Sequence, residues 1–158
     1  MTSAHSTTLR ACLRVEQWPL LDQQLWSRAC TPQSLLEDDG GELASLAEAS
    51  RVKYAKGWGR WIAFLTTHDA GVLKLRPAQR CAKSYLQAYI DHLRSTGNSD
   101  GTIVNRLGEL LAVTAELDPA FDPKLLNRYI SALRSKARPV RSKTHVRPAN
   151  ELVDLGER

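Results

Sequence analysis

The sequence predicts an all-α fold: a bundle of four to five helices preceded by a helical arm and followed by a basic linker. Two observations carry this expectation. Apolar residues recur at spacings of three and four along four separate stretches, the pattern of amphipathic helices. Between those stretches stand the residues that stop and start helices: Gly71, Arg76-Pro77, Gly97, Asp118-Pro119 and Asp122-Pro123. At 158 residues, with 42% hydrophobic and 25% charged side chains, the chain has the length and composition of one ordinary globular domain plus an arm or tail.

The elements follow in order. Residues 1–47 read as an acidic N-terminal arm with short helices. From Trp18, Pro19 fits a first helical turn and Leu21, Leu25 and Ala29 fall on one side, until Thr31-Pro32 stops the helix. The arm either packs on the body or covers a partner surface. Residues 48–137 read as the helical domain proper. Its first helix starts between Glu42 and Ser50, runs to about Thr67, and buries Tyr54, Trp58, Trp61, Ile62 and Leu65. Gly57 and Gly59 each weaken that helix by about 1 kcal/mol relative to Ala, which suggests close backbone approach to another helix or a ligand. The second helix opens at Arg76-Pro77 and carries Cys81, Tyr85, Leu86, Tyr89, Ile90 and Leu93. Gly97 ends it in the left-handed conformation, and Ser99 or Asp100 caps the third, whose buried face is Ile103, Leu107, Leu110, Leu111 and Thr114. The fourth helix buries Leu125, Leu126, Tyr129, Ile130 and Leu133. Residues 138–158 read as a basic linker and the first turns, from Asn150, of a further domain that is missing.

Charge is distributed unevenly. Residues 1–50 carry 3 basic and 7 acidic side chains, residues 51–147 carry 18 and 7, and residues 148–158 carry 1 and 3. A basic middle behind an acidic arm suits a polyanionic partner. No acidic residue occurs from Arg51 to His68, so Lys53, Lys56 and Arg60 sit on an all-positive helix, where exposed helices normally alternate signs. At the start of the third helix, Thr102, Asn105 and Arg106 offer small polar donors and a guanidinium at the positive end of the helix dipole, a chemistry suited to phosphate. Lys124 to Arg147 again lacks any acid, and Arg138, Arg141 and Lys143 continue the positive charge beyond what a helix C-terminus attracts.

Other classes are excluded. No apolar run approaches the roughly 20 residues that span a bilayer, and the N-terminus lacks a signal-peptide core, so a cytoplasmic protein without membrane contact is expected. Cys12, Cys30 and Cys81 are odd in number and form no CxxC pair, and His5, His68, His92 and His145 are scattered; free thiols and no metal or other cofactor are expected. No nucleophile stands with a base, so neither an enzyme nor a small-molecule substrate is expected.

Residues 48 to about 147 resemble the N-terminal core-binding, SAM-like helical domain of the tyrosine recombinases, the phage-integrase family. The residues that carry the resemblance are Ser50 to Leu65 (SRVKYAKGWGRWIAFL), the Pro77 helix with Tyr85 to Gly97 (YLQAYIDHLRSTG), and the pattern of Gly97, Thr102, Ile103, Leu107 and Leu110. The resemblance implies a domain that clamps one side of duplex DNA while a separate C-terminal domain cuts it. On that basis Lys53, Lys56 and Arg60 line the duplex from the first helix, Thr102, Asn105 and Arg106 from the third, and Arg138, Arg141 and Lys143 from the linker. Gly101 stands where some relatives carry a basic residue. The family's catalytic Arg, Lys, His-x-x-Arg and Tyr belong to the C-terminal domain and have no counterpart here, so no cleavage or joining is expected. The expected partners are double-stranded DNA and further recombinase protomers. The chain is either a truncated reading frame or a small protein that occupies recombination sites. The competing expectation is a helical protein–protein interaction module that uses the acidic arm and an aromatic face, without DNA binding.

Overall fold

One helix, Asp100–Leu117, touches all five others in a computed structural model that describes residues 12–32 and 41–136. The elements are α1 (Leu20–Ala29), α2 (Glu48–Asp69), α3 (Pro77–Arg80), α4 (Lys83–Ser95), α5 (Asp100–Leu117) and α6 (Lys124–Lys136), with no strand among the described residues. The all-α bundle expected from the helical periodicity is therefore the fold.

The start of α5 follows the punctuation in the sequence. Gly97 has φ +86°, the one positive φ among the described residues, and its N–H donates to the Arg94 carbonyl at 3.0 Å while Asn98 N–H reaches Leu93 O at 3.1 Å. These paired bonds close the end of α4 in the manner that favours glycine. Ser99, rather than Asp100, is the cap: its Oγ accepts from Thr102 N–H at 3.3 Å. Ile103, Leu107, Leu110, Val113 and Leu117 then face the core. Leu86, Ile90 and Leu93 of α4, and Leu126, Ile130 and Leu133 of α6, complete their expected stripes.

Two expectations need correction. The second helix is not continuous from Pro77. It breaks at Cys81-Ala82 into α3 and α4, because Arg80 and Cys81 both turn inward. Of the two expectations for the acidic segment, its described residues meet the first, packing on the body: α1 packs on α5, and Trp18, Trp26, Ala29 and Leu43 belong to the core. The deepest face of α1 is also displaced from the aliphatic one. Asp22, Trp26 and Ala29 are buried, whereas Leu21 and Leu25 are only half-buried.

The inward turn at Asp22 has a specific cause. Asp22 and Arg80 are both fully buried and form a bidentate pair, Arg80 Nη1 to Asp22 Oδ2 and Nη2 to Oδ1, each at 2.7 Å. Trp58 Nε1 donates to Asp22 Oδ2 at 2.9 Å. Arg80 spends its remaining donors on backbone, Nε to Leu75 O at 3.0 Å and Nη2 to Leu73 O at 3.1 Å. One ion pair thus ties α1, α2, the turn after α2 and α3 together. Removing one partner would leave the other charge buried alone, which costs about 3–5 kcal/mol. Asp22→Ala is expected to lower the unfolding free energy by that amount, read as a shifted urea midpoint with circular dichroism.

A second carboxylate pins α3 to the turn after α5. Asp118, 1% exposed, accepts from Ala78 N–H and Ala120 N–H, each at 3.1 Å, with Arg76 Nε at 3.5 Å. Burial opposes its charge, but those two N–H donors and Arg76 together outweigh burial and hold the carboxyl below its ordinary value of 3.8. A carboxyl whose pKa is depressed on folding stabilises the fold above its unfolded pKa and loses that contribution as pH falls through the folded value. Asp118→Asn should therefore be less stable than the wild type near neutrality. The gap between their urea midpoints should hold from about pH 7 to about pH 5 and narrow only as pH falls below about 4, through the carboxyl's own range.

Candidate functional site

The two glycines of α2 decide what can lie beside it. A Cβ on Gly57 would stand 2.9 Å from Cβ of Glu109 in α5 and closer still to its Oε2. A Cβ on Gly59 would collide with the Leu13 carbonyl, whose own N–H donates to Gly59 O at 3.3 Å. The close approach expected from these glycines is therefore to α5 and to the segment before α1. Gly57 makes room for a carboxylate, and that carboxylate organises the site.

Glu109 is 3% exposed and has a guanidinium on each side. Arg106, one turn earlier on α5, places Nη1 at 3.3 Å from Oε1 and 3.4 Å from Oε2. Arg60 of α2 places Nη1 at 4.0 Å from Oε2. The arginine side chains stay 33% and 25% exposed, so each shares its charge between Glu109 and solvent. One buried carboxylate thus lies between two cations from different helices, hydrogen-bonded to Arg106 and 4.0 Å from Arg60, and the trio keeps a net positive charge.

The arginine pair opens on a groove of about 1160 Å³ between α2, the end of α4 and the start of α5. Arg60, Phe64, His68, His92, Asn98 and Arg106 are among its walls, and no Asp or Glu among the described residues lines it. A smaller cleft of about 530 Å³ near α3 mixes Arg76, Lys124 and Arg128 with Asp118 and Asp122, so it offers no surface of one sign.

The site residues expected from sequence fare differently. Lys53 and Lys56 are exposed on α2 and share a side with Arg60 by their spacing. Asn105 is exposed on α5 beside the arginine pair. Thr102 is half-buried and committed to the helix cap, its Oγ1 lying 3.1 Å from Ser99 Oγ, which makes it a cap member more than a free donor. Arg138, Arg141 and Lys143, together with the helix expected from Asn150, lie outside the described residues. Glu109 is not among the residues expected from sequence, although its i,i+3 spacing from Arg106 is a readable ion-pair signal.

Three nucleophile-type side chains, Cys81, Tyr85 and Tyr89, have raised pKa values. Burial pushes the Cys81 thiol up to about 11, against the weaker pull of its Thr114 contact. Tyr89 is 2% exposed, and burial keeps its phenol above the ordinary value despite Arg106 and Arg60 nearby. Tyr85 Oη donates to Asp69 Oδ2 at 2.7 Å, which raises its pKa. No cluster of three metal-ligating side chains occurs among the described residues, and none of their helices is long and apolar enough to cross a membrane.

No family model, no curated protein and no solved structure matches the chain.

Glu109→Gln should separate charge from stability. Loss of the carboxylate removes the anchor of two cations and is expected to cost about 1–3 kcal/mol. It also frees both guanidiniums, so the folded variant should elute from immobilised heparin at higher salt than the wild type.

Proposed function

We propose that this protein binds duplex DNA, without cutting it, through the surface formed by α2 and α5, in the manner of the DNA-clamping helical domain of a tyrosine recombinase. The observation that carries the reading is the pair Arg60 and Arg106, drawn from two helices and brought together beside one buried Glu109, at the edge of a groove that no acid among the described residues lines. Guanidiniums held in place by a carboxylate behind them lose less freedom when they meet a phosphate. Lys53 and Lys56 extend the positive track about 10 Å along α2 from Arg60, given a rise of about 1.5 Å per residue. Contacts of this kind address the phosphate backbone, so affinity is weak, steeply salt-dependent and nearly indifferent to sequence.

The alternative, a protein-interaction module that uses the acidic arm and an aromatic face, draws less support from the tryptophans. Trp18, Trp26, Trp58 and Trp61 are all buried in the core, and the large exposed apolar side chains Leu20, Val52 and Leu75 lie on separate elements.

The experiment is titration of a labelled duplex across a salt series. The Lys53→Ala, Lys56→Ala, Arg60→Ala triple variant should keep its helical circular dichroism but bind more weakly. Its log K against log salt slope should be shallower by about 2–3, since each lost phosphate contact removes roughly 0.9. Wild-type affinity that ignores salt would overturn the reading, and an unchanged slope in the triple variant would put the DNA elsewhere.

A further inference from the structure

Rings along α2 form a stack that leads from the core to the groove. Trp61 is fully buried, and Phe64, one turn on, stacks against it with centroids 5.9 Å apart and planes 22° apart. His68, one further turn on, stacks on Phe64 at 5.1 Å and 15°. Tyr85 stands edge-on to His68 at 6.1 Å and 89°, and His92 leans on Phe64 at 5.3 Å and 39°. These are the offset-stacked and edge-to-face geometries that aromatic rings prefer. The imidazole of His68 is the outermost ring and is exposed, and it lines the same groove as Arg60 and Arg106.

A parallel stack that ends on an exposed ring in a cationic groove suits a further flat ring joined to a phosphate. We propose that the groove binds unpaired single-stranded DNA, with one base stacked on His68 and the adjoining backbone phosphates on Arg60 and Arg106. The proposal deepens the DNA-binding reading, on which it rests for the arginine pair, by assigning the groove to a strand that has left the duplex. Bases inside a duplex have both faces covered by their neighbours, whereas an unpaired base has a free face for a protein ring. The separation fits a strand rather than a lone nucleotide: His68 lies eight residues from Arg60, about 12 Å along the helix. The nearest carboxylate in sequence, Asp69, is occupied by the Tyr85 hydroxyl at 2.7 Å. The Asn98 side-chain amide donates within its own turn, to Leu93 O and Thr96 Oγ1, each at 2.9 Å, which leaves its carbonyl to accept from a base edge.

The test uses the full chain with a fluorescein-labelled oligodeoxyadenylate carrying one 2-aminopurine, and in parallel a labelled duplex. His68→Ala is expected to weaken single-strand binding about tenfold, within the range for loss of one base–ring stack. It should also abolish the 2-aminopurine quenching, while duplex affinity stays at the wild-type level. His68→Phe keeps a ring face and should restore both readouts. Single-strand affinity unmoved by His68→Ala overturns the proposal, as does His68→Phe failing like His68→Ala. Free dAMP competing as well as the oligomer would also overturn it, since the ligand would then be a mononucleotide. The two DNA readings fail separately: duplex binding without single-strand binding removes only this proposal, and single-strand binding without duplex binding removes only the duplex one. His68 is exposed, so both variants are expected to fold, and circular dichroism confirms it before titration.

Discussion

The Asp22–Arg80 pair is the constraint on which the rest of the packing depends. A buried pair of opposite charges gains little over well-packed apolar residues, because taking both ions out of water costs nearly what their attraction returns. Its effect here is on geometry. Arg80 has a rigid fork of donors, and four of the five are placed: two on Asp22, one on Leu73 O and one on Leu75 O. A guanidinium held that way fixes where the chain after α2 must run and forces the break between α3 and α4. Trp58 Nε1, donating to the same carboxylate, sets the rotation of α2 about its own axis. Once that rotation is set, Gly57 faces Glu109 and Lys53, Lys56 and Arg60 fall on the neighbouring side. The cationic surface is therefore a downstream consequence of an ion pair that never touches it.

The glycines of α2 exchange helix propensity for proximity. Each costs about 1 kcal/mol against alanine in a helix interior. At Gly57 the return is a carboxylate tucked against the helix backbone, and at Gly59 it is a backbone hydrogen bond with Leu13. Trp18 Nε1 strengthens the second contact by donating to Leu13 O at 3.1 Å. The N-terminal segment and α5 thus grip α2 at two positions only two residues apart. A helix with alanine at both positions would be a better helix and a worse scaffold.

Much of the bundle was legible in the sequence because its determinants are local. Apolar spacing located the buried faces of α4, α5 and α6, and Gly97 with Ser99 marked a junction whose hydrogen bonds span only a few residues. What escaped reading is non-local. Asp22 and Arg80 are 58 residues apart, and nothing in either neighbourhood announces the other. The apolar spacing of α1 points to Leu21, Leu25 and Ala29 as its buried face, and an acid such as Asp22 has no place in that pattern. The break at Cys81 was hidden for the same reason, since the apolar stripe from Cys81 to Leu93 continues across it. At the candidate site, the choice of side chains by charge selected Arg60 and Arg106 but missed the anion that unites them. It also took Thr102 for a free donor, although the Ser99–Thr102 spacing is that of a cap.

The site divides its cations into two kinds, and the division bears on how such a surface works. Lys53 and Lys56 are fully solvated point charges on flexible stems, able to attract a polyanion from a distance but poor at fixing its position. Arg60 and Arg106 are partly neutralised by Glu109, so they add less to the long-range field, yet Arg106 is hydrogen-bonded to that buried carboxylate and Arg60 lies 4.0 Å from it. A carboxylate in a phosphate-seeking surface looks like a defect if only net charge is counted. Counted by order, it is the group that brings guanidiniums from two helices together, and on the proposed reading they would form one donor site for phosphate. Exposed charges lose their effect beyond about one Debye length, roughly 8 Å at physiological salt. On the proposed reading, the lysines would govern capture and its salt dependence, while the arginine pair would fix the phosphate once contact is made.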